Sequence, residues 1–161
     1  MDYKEAADYA ESLFLARPSI VQAVASARTQ RRAESLEFDM RTGGDTTARR
    51  VINDMMPVAA VRCICLGITF MVYQPEKWLD VMQWSLLLFR YRFGDKAYKA
   101  IQHRFVYRWP VSKVAAMDGL SKQHFASRKR DFIAGLLVLA AQEGLVRLDV
   151  SQIENNQSTS D

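Results

Sequence analysis

The sequence predicts an all-α protein: a helical bundle with a C-terminal helix-turn-helix. Two observations point there. Apolar residues recur at spacings of three and four along most of the 161 residues, and the 7 Gly and 4 Pro fall mainly between those runs rather than inside them. Beyond residue 95 one long helical pattern gives way to short ones around a glycine.

The elements follow in order. Asp2 with Glu5 forms a capping-box pattern, and Tyr3, Ala6, Ala7, Ala10, Leu13 and Phe14 follow at helical spacing up to Arg17-Pro18. Ser19 with Gln22 repeats the box and opens a second helix through Ile20, Val21, Val24 and Ala27. That helix is expected to fade into the polar run Thr29 to Glu37, with Arg28, Arg31 and Arg32 at its C-terminal end, where the helix dipole favours cations. Thr42-Gly43-Gly44-Asp45 is a break. From Thr47 to Tyr73 the chain is largely apolar and is expected to form a core helix started or kinked at Pro57, with a buried strand over Ile64 to Val72 as the alternative that periodicity does not separate from it. Met55 to Tyr73 is long enough to span a membrane, but Arg62, Gly67 and Thr69 dilute it and no membrane association is expected.

Gln74-Pro75 precedes an amphipathic helix carrying Trp78, Leu79, Met82, Leu86, Phe89 and Phe93, which Gly94-Asp95 stops. Ala97, Ile101 and Phe105 then share one face of a helix ending near Tyr107 to Pro110. Val111 to Met117 is a short helix, Asp118-Gly119-Leu120 a turn, and Ser121 the N-cap of a helix to about Gln142. Four regions result: N-terminal helices at 1–41, an apolar helical core or partner-binding region at 46–93, the helix-turn-helix at 95–148, and a tail at 151–161 with too few apolar residues to fold.

Composition bounds the function. A content of 49% hydrophobic and 25% charged residues excludes a disordered, collagen-like or linker chain. Two cysteines, Cys63 and Cys65, cannot frame a small secreted domain, and no apolar stretch follows a basic start, so a cytoplasmic location is expected. The net charge of +4 conceals a division. Arg90 to Arg130 holds 11 Lys and Arg against Asp95 and Asp118, a balance of +9, while the remainder holds 11 bases and 16 acids. Both histidines and Tyr91, Phe93, Tyr98, Phe105, Tyr107, Trp109 and Phe125 lie in the same quarter, a composition suited to a polyanion.

The stretch Val111-Ser112-Lys113-Val114-Ala115-Ala116-Met117-Asp118-Gly119-Leu120-Ser121-Lys122-Gln123-His124-Phe125 resembles the helix-turn-helix of bacterial transcription regulators, in particular sigma-factor region 4 and small phage and plasmid regulators. Ala115 stands where two steeply crossing helices need a small side chain, and Gly119 where the turn needs positive φ. Asp118 and Arg128 occupy positions that are usually apolar in that family.

The resemblance implies a sequence-specific duplex-DNA-binding transcription regulator, of the phage or plasmid kind, acting with host RNA polymerase. The first turns of the last helix would enter the major groove with Lys122, Gln123, Ser127 and Arg130 toward base edges; Ser112, Lys113, Arg128, Lys129, Arg104 and Arg108 would reach phosphates. His124 is expected partly buried. The competing reading is an all-helical adaptor or inhibitor whose basic face binds an acidic protein.

No phosphate-binding glycine loop, nucleophile elbow or paired-His helix motif is present, so no enzyme activity is expected. Neither Cys63-Ile64-Cys65 nor the pair His103 and His124 has zinc-site spacing, and no metal or cofactor is expected. The residues before 93 include Trp78, Trp84, Met55, Met56, Met71 and Met82, expected mostly as core. Their expected partners are RNA polymerase, an associated protein or a second copy in a homodimer.

Overall fold

The computed structural model describes residues 1–44, 46–65 and 67–147. It is mostly helical, with one small sheet. The order is α1 (Tyr3–Leu15), α2 (Arg17–Thr42), α3 (Thr46–Met55), β1 (Ala60–Cys65), β2 (Ile68–Tyr73), α4 (Pro75–Phe105), α5 (Val111–Asp118) and α6 (Lys122–Gln142). The tail at 151–161 lies outside the described residues. None of the helices among the described residues is long and apolar enough to cross a membrane.

The chain divides into two compact units, Ala16–Leu79 and a second made of Met1–Leu15 with the chain from Asp80 on. In the second unit α1 starts as its sequence dictates: the Glu5 amide donates to Asp2 Oδ1 (2.7 Å) and the Asp2 amide to Glu5 Oε2 (3.2 Å), a closed capping box. Its apolar stripe of Ala6, Ala10, Leu13 and Phe14 is fully buried, and α1 packs on α6. Phe14 meets Phe105 and Phe132 edge-on with ring centroids 5.3 and 5.2 Å apart, and Phe89 meets Phe132 at 5.5 Å. Such edge-to-face pairs each add about 0.5–1.5 kcal/mol to the burial itself. At Gly94 the helical backbone stops as expected: its φ 83°, ψ 174° is non-helical, so α4 is two helices that meet at a kink there, the second continuing to Phe105.

The Ala16–Leu79 unit departs from expectation in two ways. First, α2 neither starts on a Ser19 cap nor fades at Thr29. Pro18 lies in its first turn, where no amide is needed, and the helix runs to Thr42, closed by Gly43 at φ 65° with its amide on the Asp39 carbonyl. Arg28, Arg31 and Arg32 therefore sit mid-helix and serve as tethers. Arg32 Nε pairs with Asp54 (2.8 Å), Arg31 Nη1 donates to the Met56 carbonyl (2.9 Å), and Arg28 Nε pairs with Glu76 (2.9 Å). Near its end the buried Asp39 carboxylate pairs with Arg49 of α3 at 2.9 Å.

Second, the expected core helix is a hairpin. β1 and β2 are antiparallel, pairing Val61 with Val72, Cys63 with Phe70 and Cys65 with Ile68. Pro57 cannot continue α3, the β-branched residues from Ile64 to Val72 favour extended backbone, and Gly67 takes the φ of 78° that the tight turn demands. Alternation then buries Val61, Cys63 and Val72 and exposes Arg62, Ile64, Met71 and Tyr73. Of the large residues expected as core, Trp78 and Met82 are buried, whereas Trp84, Met55, Met56 and Met71 are exposed.

Candidate nucleic-acid interface

Within the basic quarter of the chain, α5 and α6 are joined by a tight bend at Gly119, Leu120 and Ser121. Pro110, extended at ψ 150°, leads into α5. At the other end Gly119 takes φ 61°, ψ 36°, and its amide and that of Leu120 both return to the Ala115 carbonyl. Ser121 then caps α6, its hydroxyl accepting from the His124 amide at 3.0 Å. Val114 and Ala115 of α5 and Phe125 of α6 are buried where the two helices pack.

This leaves a defined outer surface on α6. Gln123, Ser127 and Arg130 are four and three residues apart, so they form one stripe on the side away from the buried Phe125 and Phe132. Lys122 is exposed beside it. None of these four side chains makes a hydrogen bond or ion pair among the described residues, so their full bonding capacity faces outward.

The phosphate candidates separate into two groups. Ser112 and Lys113 are exposed on the first turn of α5, where the helix dipole favours anions; Lys113 Nζ lies 4.1 Å from the Trp109 ring centroid. The others are engaged within the fold. Lys129 Nζ contacts both oxygens of Glu11 in α1, at 3.0 and 2.8 Å. Arg128 pairs with Asp131 (3.2 Å) and lies over the Phe93 ring (4.6 Å). Arg108, at φ 57°, donates to the Leu15 carbonyl (2.9 Å), and Arg104 to the Trp109 carbonyl (3.4 Å).

His124, expected partly buried, is exposed. His103 is half-buried: it stacks on Trp109 with centroids 4.3 Å apart and 19° between the rings, and its Nδ1 lies 2.9 Å from Asp118 Oδ2. Asp118 thus forms a polar clip between the end of α5 and α4. No group of three or more metal-ligating side chains occurs among the described residues.

No protein-family model, curated protein or solved structure matches the chain.

Proposed function

We propose that the protein is a sequence-specific duplex-DNA-binding transcription regulator in which α5 and α6 act as a helix-turn-helix and the first turns of α6 read the major groove. The observation that carries the proposal is the unpaired stripe Gln123, Ser127 and Arg130 with Lys122 beside it. Gln bidentate to adenine and Arg bidentate to guanine are the pairings that major-groove edges accept, and each discriminates by about 1–3 kcal/mol. Ser112 and Lys113, exposed on α5 and without a hydrogen bond or ion pair among the described residues, are the phosphate contacts this reading uses first, because the other four candidates would have to leave hydrogen-bonded or ionic partners within the fold. In this role the protein acts with RNA polymerase at a promoter, and a second copy would read a second half-site.

The test is selection of bound duplexes from a random library, followed by titration against salt. A preferred sequence and an affinity that falls steeply with ionic strength support the reading. Gln123→Ala and Arg130→Ala should each relax the preference at one base position. Wild-type protein that ignores duplex DNA at low salt would sink it.

A further inference from the structure

The unit Ala16–Leu79 carries an open binding surface with a specific chemistry. The Gln74 amide donates to the Ala59 carbonyl at 2.8 Å, and Val61 faces Val72 in the register. Odd-numbered residues of β1 therefore turn their backbone groups toward β2. Even-numbered ones turn theirs to the free edge. At one end of that edge the Ile64 amide reaches Ser19 Oγ at 3.4 Å. The amides of Ala60 and Arg62 have no acceptor among the described residues. This edge opens into a groove of about 770 Å³ whose far wall is α2, presenting Ser19, Gln22, Ala23, Ser26 and Ala27.

We propose that this groove binds an extended peptide of a protein partner, which adds to β1 as a third strand. The edge asks for alternating N–H and C=O groups, which only an extended chain supplies at strand spacing. The two faces then set the side chains. On the face of Arg62, which is exposed and makes no ion pair among the described residues, the peptide places an acidic residue as cross-strand partner. On the opposite face, toward the small residues Ala23, Ser26 and Ala27, it places aliphatic side chains of modest size. The partner segment is thus alternately aliphatic and acidic. This inference does not depend on the DNA-binding reading.

The experiment uses the full chain and the peptide acetyl-Val-Asp-Val-Asp-Val-amide, with amide hydrogen exchange followed residue by residue. Binding should slow exchange at Ala60 and Arg62 and leave Val61, already paired with β2, unchanged. Arg62→Glu, at an exposed position that keeps the hairpin, should weaken this peptide about threefold to fivefold and admit the counterpart with Lys in place of Asp. Unchanged exchange at Ala60 and Arg62 under saturating peptide overturns the proposal. So does an Arg62→Glu protein that treats both peptides as wild type does. Slowing that appears with rising protein concentration and that peptide cannot displace would assign the edge to a second copy instead, and would overturn it too.

Discussion

Lys129 and Arg130 are neighbours on α6 and face different ways: Lys129 is held by Glu11, 118 positions earlier in the chain, while Arg130 is exposed with no bonded partner among the described residues. A helix turns about 100° per residue, so one cation closes the contact between α1 and α6 and the next looks outward. The two should behave as opposites. Lys129→Ala should cost about 0.5–1 kcal/mol of stability, as a partly exposed pair does, and leave duplex affinity unchanged. Arg130→Ala should leave stability within about 0.5 kcal/mol and weaken the preferred duplex. Urea unfolding alongside duplex titration of both variants checks the pair, and a loss of duplex affinity in Lys129→Ala at unaltered stability would contradict it.

Glu76 ties three segments of its unit. Its Oε1 accepts from Arg28 of α2 and its Oε2 from the Val58 amide at 2.9 Å, ahead of β1. Burial pushes its carboxyl up, but the Val58 amide and the Arg28 guanidinium outweigh burial and hold it below its ordinary value. A carboxyl lowered by folding contributes stability that is complete above the unfolded value, about pH 4.3, and is lost as pH falls through the folded value. Asp54, lowered chiefly by its hydrogen bond to Arg32, acts in the same direction. Glu76→Gln should cost about 1–3 kcal/mol at neutral pH and flatten the acid limb of the stability curve below about pH 4.3, leaving the share of Asp54. Denaturant midpoints measured from pH 7 to pH 3 decide it; parallel curves for the variant and the wild type would refute the assignment.

The bend between α5 and α6 rests on two local devices, and each should fail in its own way. Gly119 at φ 61° meets nothing nearer to an added Cβ than Lys96 Nζ at 3.8 Å, so space is free and only the backbone angle resists substitution. Gly119→Ala should therefore destabilise by about 1 kcal/mol and Gly119→Val by more, with Gly119→Asn the mildest. Ser121→Ala should cost about 1 kcal/mol and Ser121→Asp almost nothing, since aspartate also accepts from the His124 amide. Equilibrium unfolding of the five variants tests the ranking, and a Gly119→Val protein as stable as wild type would remove the left-handed turn from the account.

The parts legible in the sequence are those whose partners are close by. The box of Asp2 and Glu5, the cap at Ser121 and the turn at Gly119 each involve residues within a few positions, and all three are found. The outward stripe on α6 follows from its spacing relative to Phe125. By contrast, the length of α2 was hidden, because Thr29 to Glu37 lacks an apolar stripe and that stretch is held by arginines whose partners, Asp54 and Glu76, are remote. The hairpin was hidden for another reason: a short β-branched run has the same apolar content as a buried helix, and only its pairing across Gly67 separates the two. The pairing of Lys129 with Glu11 is not legible either, because the two stand 118 positions apart.

The way the chain is apportioned between its two units sets an order of assembly. Residues 16–79 form a contiguous stretch and hold within it the partners of Arg28, Arg31, Arg32 and Arg49. Helix α1 has its partners far along the chain. Its Phe14 is covered by Phe105 and Phe132, and its Glu11 by Lys129, so during synthesis at about 5–20 residues per second those partners emerge several seconds later. Helix α1 is thus enclosed only after the chain beyond Asp80 has emerged, and its apolar face is the surface a nascent chain would have to shield in the interval.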